Sequence, residues 1–198
     1  MRYLLLIFLL VGCNKPQNDF ASISIPNVLV EVSDKNIVNK DGIIYYQNQS
    51  FSGFLTEKQA GKLIFKEGYL NGKQEGESNR WFLNGQLAEQ RFYHENRKEA
   101  KHTGWWENGQ KRFEYHFKTD IPVGHHQEWY PSGRVFTSFH FDDQGQPEGS
   151  QQMWFEDGKV KSNYVMKNGR RYGFYGAKGC MGKNEKKQSG VNIENKSI

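Results

Sequence analysis

Gly149-Ser-Gln-Gln-Met-Trp-Phe-Glu-Asp-Gly158 decides how this chain is read, because looser copies of it occur three more times. Gly76-Glu-Ser-Asn-Arg-Trp-Phe-Leu-Asn-Gly85 is the first. Residues 100–109 give the second, with Ala100 in place of the opening glycine and Trp105-Trp106-Glu107-Asn108-Gly109 closing it. Gly124-His-His-Gln-Glu-Trp-Tyr-Pro-Ser-Gly133 is the third. The tryptophans at 81, 105, 129 and 154 recur at intervals of 24, 24 and 25 residues. A fixed period of this length is the signature of a repeat array, in which each unit buries its apolar face against the next.

Within a unit, two turns separate two alternating segments. Asn84-Gly85, Asn108-Gly109, Ser132-Gly133 and Asp157-Gly158 predict two-residue hairpins, because glycine accepts the positive φ such turns need. Asn71-Gly72 and Asn168-Gly169 supply the other turn, with Asp120-Ile121 and Gln144-Gly145 as weaker forms. Phe113, Tyr115 and Phe117 fall on one face, and Arg112, Glu114 and His116 on the other. Val135, Phe139 and Phe141 repeat the pattern, as do Val160, Tyr164 and Met166. The expected fold is therefore all-β: a single-domain antiparallel meander of stacked β-hairpin repeats. Residues 51–72 read as a degraded first unit, with Glu57 where the tryptophan should stand.

The pattern of glycine, four residues, Trp-aromatic-x-Asn-Gly, then an alternating strand and a second Asn-Gly turn, resembles the MORN-repeat variant of bacterial YwqK-type, antitoxin-like proteins. The resemblance covers residues 42–175. It implies a ribbon of hairpins that binds or scaffolds a protein partner, and it carries the alternative of an antitoxin or immunity protein that neutralises a toxin by direct binding. Ala100 for glycine, Ser132 for asparagine and one extra residue within 142–148 depart from the pattern.

Met1-Arg2 followed by the apolar run Tyr3 to Leu10 and then Leu10-Val11-Gly12-Cys13 reads as a lipoprotein signal over residues 1–12, with Cys13 the lipidated residue. That run falls well short of the roughly 20 apolar residues a membrane span needs. Acyl chains on Cys13 would hold the protein at the bacterial cell envelope. Asn14, in place of aspartate, favours the outer membrane where two membranes exist. Residues 13–41 then form a tether with a possible edge strand, residues 42–175 the repeat domain and residues 176–198 a polar tail. Once Cys13 is lipidated, Cys180 has no partner within the chain.

The net charge of +5 is spread among interspersed acids and bases, which argues against a nucleic-acid partner. No phosphate loop, nucleophile elbow, paired CxxC or HExxH occurs, so no enzyme, cofactor or metal is expected. Two-residue hairpins would place Trp129 opposite Phe136, and Glu114, His125, His140 and Glu148 in one row across four strands. That row is the only candidate acid–base or metal cluster, and on a flat sheet face it reads as a solvated polar surface. Trp81, Trp105, Trp129 and Trp154 would share one face as a column of indoles. They are the candidate binding residues for a protein partner or a glycan. Covering contacts from Arg112, Lys161 and Phe136 are the structural alternative.

Overall fold

The computed structural model describes residues 24–175, and no helix occurs among them. β1 (Leu29–Glu31) is followed by a small antiparallel sheet of β2 (Ile37–Lys40), β3 (Ile43–Tyr46) and β4 (Gln49–Ser50). The long meander then begins with β5 (Gly53–Gln59), β6 (Lys62–Leu70), β7 (Lys73–Trp81) and β8 (Leu87–His94). It continues through β9 (Arg97–Lys98), β10 (Ala100–Trp105), β11 (Lys111–Lys118), β12 (Ile121–Pro122) and β13 (Gly124–Trp129). β14 (Val135–Phe141), β15 (Pro147–Trp154), β16 (Val160–Lys167) and β17 (Arg170–Tyr175) complete it. Successive long strands pair antiparallel in one sheet, and β1 closes its first edge by pairing parallel with β5, Val30 opposite Leu55.

Aliphatic core is confined to the first end. Val30, Ile44, Phe51, Leu55, Phe65 and Tyr69 form one cluster where the small sheet folds onto the large one, with Ile37 and Tyr46 against it. Beyond β7 the interior is aromatic and polar. Phe113 stacks on Tyr115 at 4.7 Å, and Tyr115 stacks on His126 at 5.0 Å. His126 in turn meets Phe141 at 4.8 Å.

The two turns of each unit have different geometry, and the assignment differs from the one the sequence suggests. Leu83-Asn84-Gly85 is a three-residue loop: Gly85 N–H donates to Phe82 O at 2.8 Å and Phe82 N–H to Gln86 O at 2.9 Å, with Gly85 at φ 87°. Only the glycine takes positive φ, which is a type I turn ending in a glycine bulge. The loops at Gly109, Gly133 and Gly158 have the same hydrogen bonds. True two-residue turns, with both central residues at positive φ, include Asn71-Gly72, Glu95-Asn96, Thr119-Asp120 and Asn168-Gly169.

The extra loop residue shifts the pairing only beside the loop, where Trp129 lies opposite Val135 and not Phe136; a bulge next to Glu128 then restores the two-residue pairing, with His125 opposite His140. The slip is confined to the tryptophan and the bulged residue facing it, and the strands beyond keep their faces. In the first unit the loop is the shorter Ala60-Gly61 turn, and Lys58 opposite Leu63 occupies the place of Trp81 opposite Leu87. Lys58, not Glu57, therefore replaces the tryptophan. The extra residue within 142–148 converts that turn to the three-residue form, with Gly145 N–H donating to Asp142 O at 3.1 Å.

A second irregularity opens each unit. Gly76, Ala100, Gly124 and Gly149 all sit at φ between 58° and 68°. Beside each, the ladder is interrupted, and the residue two places on turns inward: Ser78, His102, His126 and Gln151 are all buried. His102 Nε2 lies 2.8 Å from Phe92 O, and His126 Nε2 lies 2.8 Å from His116 O. Gln151 Nε2 donates to His140 O at 2.7 Å and to Glu148 O at 3.0 Å. A polar side chain thus takes up carbonyls the bulge would otherwise leave unpaired, which is why a polar residue can be buried there without loss.

Candidate functional site

Neighbouring units are joined along the loop edge by side chains that reach the next unit's carbonyls. Trp106 Nε1 donates to Trp129 O at 3.0 Å, and Tyr130 Oη to Trp154 O at 3.0 Å. Lys62 Nζ donates to Leu83 O at 2.7 Å, Asn108 Nδ2 to Pro131 O at 2.7 Å and Arg134 Nη1 to Glu156 O at 2.8 Å. The Gln86 amide, turned so that its nitrogen donates, reaches Glu107 O at 2.9 Å. The second aromatic of the Trp105-Trp106 and Trp129-Tyr130 pairs thereby helps to fix the spacing of the units.

Trp81, Trp105, Trp129 and Trp154 hold equivalent positions, each ending a strand and facing Leu87, Lys111, Val135 and Val160 across the bulge. All four are partly buried. Their expected covering groups lie elsewhere because of the register shift. Arg112 stands over Trp106 and Phe113, Lys161 over Phe136 and Phe155, and Phe136 packs on Tyr130. Trp129 is instead covered by Lys111 Nζ at 5.6 Å.

A concavity of about 530 Å³ opens on the aromatic face beside Tyr130. Phe113 and Tyr115 line it together with Trp106, Trp129, Tyr130, Pro131 and Phe136. Its charged groups are Arg91, Arg112 and Glu128. Tyr115 donates to Glu128, and burial together with that carboxylate pushes the phenol pKa well up, so the hydroxyl stays protonated. Glu89 accepts from Arg91 Nε at 2.9 Å and from Arg91 Nη2 at 2.8 Å, and also pairs with Arg112. A shallower groove of about 590 Å³ contains Trp154 with Gln127, Ser138 and Gln152 on the other face. Trp81 and Trp105 line neither, so the four indoles do not bound one continuous groove.

The row Glu114, His125, His140 and Glu148 is only partly assembled. His125 lies opposite His140, rings 6.4 Å apart, and His125 Nε2 is 2.8 Å from Ser138 Oγ. Glu114 faces Gln127, because the bulge at Gly124 moves β13 by two residues relative to the β11–β12 turn. Its carboxylate is bound by Lys111 at 2.6 Å, which holds its pKa below the usual range. Glu148 is set off by a further register break between Phe139 and Phe141. Among the described residues no three His, Cys, Asp or Glu side chains converge as a metal site. Cys13, Cys180 and the polar tail lie outside the described residues.

The concavity was not legible as such, although Trp106, Pro131 and the out-of-pattern arginine and glutamate at 91 and 128 mark its walls in the sequence. No family model matches the chain, and no curated protein matches it closely enough to be a relative.

Proposed function

We propose that this chain is a lipid-anchored interaction module of the bacterial cell envelope, and that its contact point for a protein partner is the aromatic concavity around Trp106, Tyr130 and Phe136. The observation that carries the reading is that concavity. It gathers the rings of Trp106, Phe113, Tyr115, Tyr130 and Phe136 and two guanidinium groups on a sheet whose other exposed positions are mostly polar. Trp, Tyr and Arg in a recessed patch are the residues that dominate protein–protein binding energy. The ionisable side chains there are engaged with one another, Glu128 with Tyr115 and both arginines with Glu89, which suits recognition better than proton transfer. The Leu10-Val11-Gly12-Cys13 motif supports the anchor, and the MORN-type spacing supports a binding role.

Two variants test the halves separately. Cys13→Ala should move the protein from the membrane fraction to the soluble fraction and abolish labelling by an alkyne-bearing palmitate. Trp106→Ser should remove a partner captured from envelope extract by the wild-type chain, whereas Trp154→Ser should retain it. Capture that survives Trp106→Ser would exclude the concavity as the contact point.

A further inference from the structure

Apart from the concavity, we infer that the groove beside Trp154 on the opposite face binds a neutral 1,4-linked oligosaccharide of gluco-configured sugars. One pyranose ring lies on the indole, and hydroxyl groups of its neighbours meet a row of polar side chains. The ladder brings that row together. Gln127 lies opposite Ser138, Ser138 opposite Gln152 and Gln152 opposite Asn163, so four uncharged polar residues stand in line on four adjacent strands. Gln127, Ser138 and Gln152 border the groove, Val135 adds an apolar patch, and Trp154 stands two residues beyond Gln152 along β15. The end of that strand is tied down from the other face, where Tyr130 Oη donates to Trp154 O at 3.0 Å. Among the described residues no ring or cation stands over the Trp154 indole, whereas Trp129 has Lys111 over its ring.

The hydrogen-bonding capacity left in the row carries the inference. The Gln127 side chain makes no hydrogen bond among the described residues. Gln152 Nε2 donates to Asn163 Oδ1 at 3.2 Å, which leaves Gln152 Oε1 open, and Ser138 Oγ lies 2.8 Å from His125 Nε2. An amide both donates and accepts, as a sugar hydroxyl does, so the two groups satisfy each other in either sense. A gluco-configured pyranose has equatorial hydroxyls and axial C–H bonds, whose partly positive hydrogens are attracted to the negative face of an indole. In an extended 1,4-linked chain each ring advances by about 5 Å, close to the strand spacing of about 4.8 Å, so successive rings meet successive side chains of the row. Arg134 is the one charged side chain along the groove among the described residues, and its Nη1 already donates to Glu156 O at 2.8 Å. An anionic strand finds no basic track there, and a protein loop finds little apolar area besides Trp154 and Val135.

Isothermal titration of the full chain, in a detergent without a sugar headgroup, tests this with cellotetraose and with tetra-N-acetylchitotetraose. At least one of the two should bind with a millimolar or lower Kd. Trp154→Ala should weaken that binding about tenfold or more, as expected for loss of a stacking platform. Gln127→Ala should weaken it about two- to tenfold, the range for one neutral hydrogen bond. Trp106→Ser, on the other face, should leave it unchanged. Should Trp154→Ala fail to fold, Gln127→Ala and Trp106→Ser decide alone. Binding of neither sugar at millimolar concentration, affinity unaltered by Gln127→Ala and Trp154→Ala, or tighter binding of hexaproline than of either sugar would overturn the proposal. The protein contact is read separately, because its capture depends on Trp106 and not on Trp154.

Discussion

Replacing His102 and His126 by glutamine should flatten the acid side of the stability curve while leaving stability near neutral pH almost unchanged. Burial is the main cause that lowers both imidazole pKa values; carbonyl hydrogen bonds oppose it, and nearby positive groups reinforce it. The unfolded chain has the ordinary histidine value near 6.5. It therefore binds more protons than the folded chain once the pH falls below about 6.5. The stability these groups contribute is complete above that pH and is lost as pH falls toward their folded values. The slope is at most about 1.4 kcal/mol per pH unit for each histidine, hence about 2.7 for the pair. Glutamine is the test residue because Gln151 already occupies the same place in its unit and donates to two carbonyls. Exchanging one neutral carbonyl-bound side chain for another should cost about 1 kcal/mol or less. Urea unfolding at pH 7.5, 6.5, 5.5 and 5.0 measures the effect. A double variant with the same slope as the wild type between pH 6.5 and 5 would refute the reasoning, as would a wild type more stable at pH 5.5 than at 7.5.

Ala100→Gly should stabilise the chain by up to about 1 kcal/mol, raising Tm by about 2–4 °C, because Ala100 sits at φ 58° where its sister units have glycine. Gly124→Ala is the reciprocal change and should destabilise by about 1–2 kcal/mol through backbone conformation alone, since a Cβ there meets nothing within 4 Å. Gly104→Ala acts by collision: the new methyl would lie 2.3 Å from Phe113 Cε1, and a loss of about 1–3 kcal/mol in urea unfolding is expected. Tyr130→Phe removes the hydroxyl bonded to Trp154 O and should lower stability by about 1 kcal/mol in the same assay.

The meander was readable from the tryptophan period and the glycine turns alone, because both depend on local backbone chemistry. The faces of the strand centres were readable too, with Phe113, Tyr115 and Phe117 on one side, but the pairing beside the loops was not. Asn84-Gly85 and Asn71-Gly72 are the same dipeptide, yet one closes a bulged three-residue loop and the other a two-residue turn. Letters at a turn do not reveal whether the residues beside it pair one place earlier or later before a bulge restores the register. That single residue moved Arg112, Lys161 and Phe136 from the tryptophans to their aromatic neighbours, and so concealed the concavity they help to build. Glu114 was displaced from His125 for a similar reason, as the positive φ of Gly124 bends the strand where simple alternation would run straight. The inward turn of His102 and His126 likewise depends on a bulge, although the recurrence of Ser78, His102, His126 and Gln151 at one place in the unit was present in the sequence.

Phe82 stands where Trp106 and Tyr130 stand in the later units, but a phenyl ring has no donor to offer the carbonyl of Trp105. The seam between those two units is consequently a clasp short. Under tension applied through the sheet, or in slow amide exchange, the ribbon should crack there first, and a tyrosine at position 82 would be the natural repair.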